Sequence, residues 1–197
     1  MKRPSAELVL NAYAQGIFPM SHSEEDWDVY WYAPDPRCVI PLEDFHASRS
    51  LERTIRKGVF DIRFDTAFGD VIRACGEPRD DGHGTWISPG IVEVFEELHE
   101  LGFAHSIETW QDDELVGGLY GLAIGGLFAG ESMYHHVTDA SKVALWATVQ
   151  RMKERDMTLF DVQFHTDHLA RFGAKEIPRD EYEKLVARAV RLQRTFN

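Results

Sequence analysis

The stretch from Ala104 to Tyr134, AHSIETWQDDELVGGLYGLAIGGLFAGESMY, constrains the fold of this chain more than any other part of it. Apolar and polar residues alternate along the stretch, and the pair Asp112-Asp113 interrupts the alternation as a tight turn would. This pattern predicts antiparallel strands that follow one another in a meander. Segments with helical patterns precede and follow it, and strands in a meander with helices on their faces indicate an α+β domain.

Two helices are expected to flank the meander. Ser88 would cap the first and Pro89 would open it, because a hydroxyl residue followed by proline is typical of a helix start. Asp139 would cap the second, which runs to about Arg155 and leads into a further strand.

The size of the chain suggests one main domain. Its 197 residues, 44% of them hydrophobic, can bury one substantial core and a small accessory lobe. A stretch rich in proline and aromatic residues, FPM…WDVYWYAPDPR, predicts extended or turning chain after a first helix. We therefore expect a small N-terminal segment, residues 1–36, joined to a main domain, residues 37–197.

The net charge of −12, from 33 acidic and 21 basic residues, argues against nonspecific coating of nucleic acid. This net charge does not exclude one local basic patch. The segment SRSLERTIRKG places Arg49, Arg53 and Arg56 at helical spacing on one face, which suits contact with an RNA backbone. An ordinary solvated helix face is an equally good interpretation.

Several other classes of protein are disfavoured. The first thirty residues lack a secretory signal pattern, and no run of about eighteen apolar residues occurs, so we expect a soluble, cytoplasmic protein without a membrane partner. Cys38 and Cys75 lack CxxC spacing, and His135, His136, His165 and His168 lack HExxH spacing, so a metal site is not expected. The glycines of GGLYGLAIGG match no phosphate-binding or coenzyme A loop.

The strand predicted over 158–164, TLFDVQF, carries two polar residues that folding does not require. Alternation places Asp161 and Gln163 on one face and Phe164, with other apolar side chains, on the opposite face. A second strand end, GESM, carries Glu131, so two carboxylates and an amide could share one pocket. The alternative is that Asp161 pairs with an arginine and Gln163 satisfies backbone groups.

These motifs belong to a series that resembles the leucyl/phenylalanyl-tRNA–protein transferases. In chain order the matching stretches are AYAQGIFPM, WYAPDPR, HASRSLERT, GTWISPGIVEVFEELHELGFAHSIETWQDDELVGGLYG, GESM, DASKVAL and DVQF…HLARFGAKEIPR. The resemblance implies a small N-terminal domain joined to a GNAT-like acyltransferase core, with a mixed, largely antiparallel sheet and flanking helices. It also implies that aminoacyl-tRNA replaces acyl-coenzyme A, which agrees with the missing coenzyme loop.

The activity implied by the resemblance is peptide-bond formation. Leucine or phenylalanine would move from Leu-tRNA or Phe-tRNA to the N-terminal Arg or Lys of an acceptor protein, which is thereby marked for degradation. No metal, coenzyme or ATP is expected, because the aminoacyl ester already holds the free energy. The runner-up is a noncatalytic GNAT-like domain that binds peptide N-termini or aminoacyl groups; acidic N-termini as acceptors also stay open.

Roles for the polar residues follow from the resemblance. Gln163 would contact the attacking amine through its carbonyl oxygen, while Asp161 orients it and stabilises developing positive charge. Whether Asp161 itself takes the proton is left open. Glu131 would hold the free α-ammonium of the transferred amino acid.

The resemblance also implies an apolar pocket for the transferred side chain and a platform, Trp86, on which the terminal adenine stacks. The pocket positions are Leu119, Phe128, Met133, Leu145 and Phe160. Plain core packing is the alternative for each. The chain departs from the family after GESM, where Tyr134, His135 and His136 stand in place of the usual FSR, so an arginine of the family is absent.

Overall fold

The computed structural model describes residues 3–22, 28–77 and 85–197. Nine strands lie in these residues: β1 Phe18–Met20, β2 Tyr30–Tyr32, β3 Arg37–Ile40, β4 Asp61–Phe64, β5 Ala104–Gln111, β6 Glu114–Ile124, β7 Leu127–His135, β8 Leu159–Gln163 and β9 Lys175–Ile177. The same residues form seven helices: α1 Ala6–Tyr13, α2 Arg49–Lys57, α3 Phe68–Cys75, α4 Pro89–Glu100, α5 Ala140–Glu154, α6 Asp167–Ala170 and α7 Arg179–Ala189.

The described strands form a seven-stranded sheet in the order β4-β5-β6-β7-β8-β3-β9 and a separate β1-β2 pair. The predicted meander is confirmed, since β5, β6 and β7 are consecutive antiparallel neighbours. Asp112 and Asp113 both have positive φ, 52° and 62°, as a two-residue hairpin turn with the twist of the strands requires. The α+β class, with a mixed and largely antiparallel sheet, is thereby confirmed.

Helices cover both faces of the sheet because each face presents its own apolar cluster. Helices α1, α3 and α4 pack on one face around buried side chains such as Val9, Ile72 and Phe95. Helix α7 joins this side through Tyr182 and Val186, which pack with Leu159 of β8. Helices α2 and α5 supply the cluster on the opposite face, together with β6, β7 and β8.

Among the described strands, β7 and β8 form the parallel pair, and α5 is the crossover between them, as a parallel connection requires. Their pairing ends at Ala129 and Asp161. Next to this point the register between β6 and β7 shifts, so that Glu131 is an extra residue, and the register between β3 and β8 shifts at Val162. Bulges of this kind bend a strand and redirect side chains, so the sheet opens where the polar residues of the two strands lie.

The two expected caps have other partners. Ser88 occupies the N-cap position of α4, but its side chain makes no capping bond and instead lies 2.7 Å from the Ser21 hydroxyl oxygen. Asp139 precedes α5 in a left-handed conformation and accepts a hydrogen bond from Lys142 instead of capping the helix. Ser88 therefore connects α4 to the segment that follows β1.

The division at residue 36 stays a prediction. No helix in the described parts of the chain is long and apolar enough to cross a membrane. The segment GEPRDDGHG, residues 76–84, is expected from its glycines and proline to be a loop, and it lies mostly outside the described residues.

Candidate active site

Asp161 is a fully buried carboxylate whose two oxygens both have strong partners. Arg37 binds it through both arms of the guanidinium, with Nε 2.9 Å from Oδ1 and Nη2 2.6 Å from Oδ2. The Tyr182 hydroxyl donates to Oδ2 at 2.8 Å, and the backbone N–H of Gln163 donates to Oδ1 at 2.9 Å. Bidentate charge-assisted bonds of this kind fix orientation as well as adding energy. Asp161 is therefore held in one position.

Arg37 is buried as completely as its partner, with 1% of its surface exposed. Its guanidinium lies between the rings of Phe18 and Tyr182, 4.5 and 4.6 Å from their centroids, and Nη1 donates to the Gly16 carbonyl at 3.1 Å. Burial alone would lower the pKa of Arg37, but the charge and hydrogen bonds of Asp161 raise it above its ordinary value. Arg37 thus remains a cation inside the protein and ties the first segment of the chain to β8.

An arginine beside Asp161 was one of the expected arrangements, but Arg37 was not identified as that arginine because it lies 124 residues away in the chain. Only the antiparallel register of β3 and β8, with Val39 opposite Asp161, brings the two together. Tyr182 of α7 was missed as well. Gly16 fits here because its φ of +77° suits glycine, and a Cβ would meet the Tyr182 ring at 2.7 Å.

Gln163 lies at a strained turn. Its φ is +65°, which is uncommon for a residue with a side chain and costs about 1–3 kcal/mol. The N–H of Phe164 donates to the carbonyl of Val162 at 2.8 Å, so a three-residue turn is centred on Gln163. The bond from the Gln163 N–H to Asp161 stabilises this conformation. The anchored carboxylate therefore determines where the glutamine side chain points.

The turn corrects one prediction. Phe164 was expected on the same face as the apolar residues of the strand, but it is 44% exposed and its ring packs edge-on against Phe18 at 5.7 Å. The alternation ends at Gln163 because the positive φ rotates the chain out of the strand.

Glu131 faces Gln163 across the opening between β7 and β8. The amide nitrogen of Gln163 donates to Oε1 of Glu131 at 2.9 Å. Oε2 of Glu131 is buried and has no hydrogen-bond partner among the described residues, and the same is true of the hydroxyls of Tyr13 and Tyr120. The site therefore presents several unused polar atoms.

Burial raises the pKa of Glu131 to about 8. The nearby charge of Asp161 adds to the rise, while the Tyr13 hydroxyl, the Gln163 amide and the charge of Arg37 oppose it. The Tyr13 hydroxyl lies close enough to Glu131 to affect its pKa, although the two groups do not form a hydrogen bond of ordinary geometry. A carboxyl group in this state gains most from a cationic partner, because such a partner would offset the cost of its burial.

A cavity of about 80 Å³ opens beside Glu131 at the bulge. Four of the five residues expected to form an apolar pocket line it, namely Leu119, Met133, Leu145 and Phe160. Sequence reasoning missed the other lining residues, which are Gly130, Ser132, Val162 and Leu169. The cavity thus has apolar walls and one wall that carries Glu131, which is a suitable shape for an amino acid with an apolar side chain.

Phe128, the fifth expected pocket residue, is not among the residues that line the cavity. It is fully buried behind Phe160, with ring centroids 5.8 Å apart, and stacks on Phe196 at 4.7 Å. Phe128 therefore supports the cavity wall from behind, because its position on β7 precedes the bulge.

The other expected residues lie outside the cavity. Trp86 is partly buried, packs against the cluster under α1, α3 and α4, and accepts a backbone hydrogen bond from Ser21 at 3.2 Å. Arg49, Arg53 and Arg56 are exposed on α2, and none of them forms an ion pair with another described residue. The three arginines are thus available to an external anion.

Two other kinds of site, a second depression and a metal centre, are less suitable. A larger depression, about 360 Å³, lies by the Asp112-Asp113 turn, but Arg63 there already pairs with Asp61 and Asp113. In the described part of the chain no three His, Cys, Asp or Glu side chains form a group that could hold a metal ion. The opening between β7 and β8 is therefore the better candidate for chemistry.

The chain is similar to one family of proteins over nearly its whole length. The family model "Leucyl/phenylalanyl-tRNA protein transferase" matches residues 39–187, and that of its N-terminal domain matches residues 3–35. The chain is 55% identical over 196 residues to the leucyl/phenylalanyl-tRNA–protein transferase of Herpetosiphon aurantiacus, covering 99% of both chains. The protein of the same name from Paramagnetospirillum magneticum is 52% identical, over 96% of this chain and 91% of that one.

Among solved structures, a GCN5-related N-acetyltransferase from Kribbella flavida aligns with 87% of this chain and 59% of its own, at 11% identity and a TM-score of 0.45.

Proposed function

This chain belongs to the leucyl/phenylalanyl-tRNA protein transferase family, and on that premise we propose that it transfers leucine or phenylalanine from tRNA to acceptor proteins. The family name supports an aminoacyl-tRNA donor and a protein acceptor. The acceptors we propose begin with Arg or Lys, and the product would be marked for degradation. The reaction requires aminoacyl-tRNA, so we propose a cytoplasmic enzyme.

One observation carries the proposal: the partly buried Glu131, whose Oε2 is buried and has no hydrogen-bond partner among the described residues, stands at the wall of an apolar cavity. In the proposed complex the α-ammonium of the donor amino acid pairs with Oε2, and its side chain fills the cavity. The pairing would also exclude N-acylated residues, because an amide nitrogen carries no charge and cannot offset the burial of Glu131.

The cavity walls support an apolar residue. Met133 is flexible and adapts to side chains of different shape, which suits both leucine and phenylalanine. Leu119, Leu145 and Phe160 provide the remaining apolar contacts, and Phe128 keeps Phe160 in place.

The bond-forming step follows from the same geometry. The α-amine of the acceptor attacks the ester carbonyl, the new C–N bond forms, and the C–O bond to the 3′ oxygen of the RNA breaks. The carbonyl oxygen of Gln163 would accept a hydrogen bond from the attacking amine and align it. The amine proton leaves toward the 3′ oxygen or solvent, since an amide is too weak a base to keep it.

We assign Asp161 to positioning and electrostatics rather than to proton abstraction. Its oxygens accept hydrogen bonds from Arg37, Tyr182 and the Gln163 backbone, so no oxygen is left for a direct contact with the amine. A proton on Asp161 would break the bidentate contact with Arg37 and leave that cation buried without its charge partner.

Further contacts with the RNA are proposed for Trp86, as a stacking platform for the terminal adenine, and for the exposed arginines of α2, as phosphate contacts. The N-terminal segment, residues 1–36, would act as part of the same catalytic unit, because Gly16 and Phe18 contact Arg37.

The decisive experiment uses purified protein, tRNA charged with radiolabelled leucine or phenylalanine, and model proteins beginning with Arg, Lys, Asp or Glu. We expect label on proteins with N-terminal Arg or Lys. Label on none of the four would contradict the proposal, and binding of charged tRNA without transfer would favour a noncatalytic binding domain.

A further inference from the structure

A group of cationic side chains lies beside the cavity on the elements that form its walls. We call it the cationic cluster; it consists of His135, Lys142, His168 and Arg171. His135 follows Met133 by two residues on the same face of β7, and Lys142 lies three residues before Leu145 on α5. His168 is the neighbour of Leu169 on α6. Met133, Leu145 and Leu169 line the cavity, so the cluster lies on the same elements that form the cavity wall.

The members of the cluster are close enough to act on one another. The half-buried His168 has a lowered pKa because of burial and then because of the charges of Lys142, Arg171 and His135. The Ser141 hydroxyl oxygen is 3.4 Å from Nδ1 of His135. Concentrating like charges is unfavourable without an anion, and this concentration occurs in a chain with a net charge of −12.

The anions of the protein offset the cluster only in part. Asp139 binds Lys142 at 2.7 Å, whereas Arg171 is exposed and forms no ion pair with any residue that the structure describes. Asp139 also accepts a hydrogen bond from Thr54 of α2 at 3.4 Å, so the exposed arginines of α2 continue from the cluster along the same side. Exposed cationic side chains therefore occur both on the elements of the cavity wall and on the neighbouring helix α2.

We propose that the cationic cluster binds the phosphodiester group that joins the terminal adenosine of the donor RNA to the preceding nucleotide. The proposal rests on the function proposed above. The aminoacyl ester and this phosphodiester are attached to one ribose, so an amino acid seated in the cavity places the phosphate within one nucleotide of it. An acidic side chain of the acceptor protein is a weaker fit, because it would not explain the continuation toward α2.

Binding of the phosphodiester at this site should be coupled to the uptake of protons. A bound phosphodiester would raise the pKa of His168, so this histidine would take up a proton on binding. Affinity should therefore increase as pH falls from 8 to 6. The phosphodiester stays singly charged over this range, and the charged groups that face His168 besides His135 are Lys142 and Arg171, which remain cations.

Two small ligands test the site. One is 3′-amino-3′-deoxyadenosine with leucine in amide linkage, which resists hydrolysis and has no phosphate. The other is the cytidylyl-phosphate extension of the same compound, which adds one phosphodiester. Calorimetry at pH 6 and pH 8 would measure both against wild type and the triple variant His135→Gln, His168→Gln, Arg171→Ala. Titration of Glu131 or of the leucine amine affects both ligands equally and cancels in the comparison.

We expect the triple variant to lose about tenfold in affinity for the phosphate-containing ligand, equivalent to about 1.4 kcal/mol. Its affinity for the phosphate-free ligand should be unchanged, which also reports that the variant is folded. The extra affinity of wild type at pH 6 should disappear. Lys153→Ala, at the far end of α5, is the matched control and should behave as wild type does.

Three results would overturn the site. Equal losses for the two ligands would mean that these residues only shape the cavity. Unchanged affinity for both would mean that the cluster binds neither. If the triple variant weakens only the binding of an acidic acceptor peptide, the cluster binds the acceptor protein and not the RNA. If wild type binds neither ligand, the proposed function fails together with this inference, whereas binding of the phosphate-free ligand alone preserves the function and rejects the cluster.

Discussion

Asp161 and Glu131 are two buried carboxyl groups on neighbouring strands, and they are treated in opposite ways. Asp161 accepts hydrogen bonds from Arg37, Tyr182 and the backbone of Gln163. Glu131 accepts one from the Gln163 amide, while its other oxygen is buried without a partner among the described residues. Gln163 touches both. The charge of Asp161 is compensated inside the protein by Arg37, whereas Oε2 of Glu131 is left for an external ligand.

This difference is the reason we propose Glu131, and not Asp161, as the carboxylate that contacts substrate. A group that already has its full set of partners can orient neighbours but has nothing to offer a ligand. A group with an unused buried oxygen is costly unless a ligand completes it. The predictions below test this division between an anchored and an open carboxylate, beginning with the largest effect.

The anchored carboxylate should be the more important for stability. Arg37→Ala leaves Asp161 buried without its charge partner, which costs about 3–5 kcal/mol of unfolding free energy. Tyr182→Phe removes one hydrogen bond to the same carboxylate and should cost about 1 kcal/mol. Urea unfolding monitored by tryptophan fluorescence measures both. A loss under 1 kcal/mol for Arg37→Ala would show that the ion pair is dispensable.

The open carboxylate should make stability depend on pH. The pKa of Glu131 is raised from 4.5 to about 8 in the folded state, so the unfolded chain ionises first as pH rises. Stability is then lost between about pH 5 and pH 8, by a few kcal/mol, since each pKa unit is equivalent to about 1.4 kcal/mol. Glu131→Gln should flatten this part of the profile. An equally steep profile in the variant would assign the dependence to other groups.

Glu131→Gln should lower the rate of transfer while the protein stays folded. Glu131→Gln keeps an oxygen for the Gln163 amide but removes the charge that pairs with the α-ammonium. Single-turnover transfer of leucine should fall about 10²-fold, in the range found for loss of one preorganised electrostatic contact. The melting temperature near pH 7 should stay the same or increase. Wild-type transfer by a folded Glu131→Gln would place the ammonium elsewhere.

The smallest effect concerns the walls of the cavity. Leu169→Ala enlarges it and should lower transfer of leucine by about tenfold, with phenylalanine less affected because the larger ring fills the added space. Leu8→Ala, on the exposed side of α1, is the control and should leave the ratio of leucine to phenylalanine transfer unchanged. An unchanged ratio in Leu169→Ala would separate the cavity from amino-acid selection.

The sequence predicted what depends on local pattern. Alternation and the Asp112-Asp113 turn were sufficient for the meander, and the two motifs GESM and DVQF were sufficient to suggest that Glu131, Asp161 and Gln163 meet. The partners of Asp161 were not predictable, because Arg37 and Tyr182 reach it only through strand register and the packing of α7.

The two bulges could not be predicted from the sequence for the same reason. An extra residue in a strand is defined by the strand opposite to it, so the positions of Glu131 and Val162 cannot be read from one segment. The displacement of Phe128 behind the cavity wall and the departure of Phe164 from its expected face both follow from these irregularities. The roles of the site residues remain predictions until transfer is measured.

The enclosed Arg37 also has a consequence for cooperativity. Its guanidinium takes one hydrogen-bond acceptor from Gly16, one aromatic face from Phe18 and its counterion from β8. Melting of the first twenty residues would therefore expose a charged pair that the remaining chain cannot solvate in place, and the strained turn at Gln163 would lose its restraint. Disorder at the beginning of the chain and loss of the alignment between Asp161 and Gln163 should be one transition, so a shortened chain that starts at Arg37 would keep the proposed catalytic residues without their geometry.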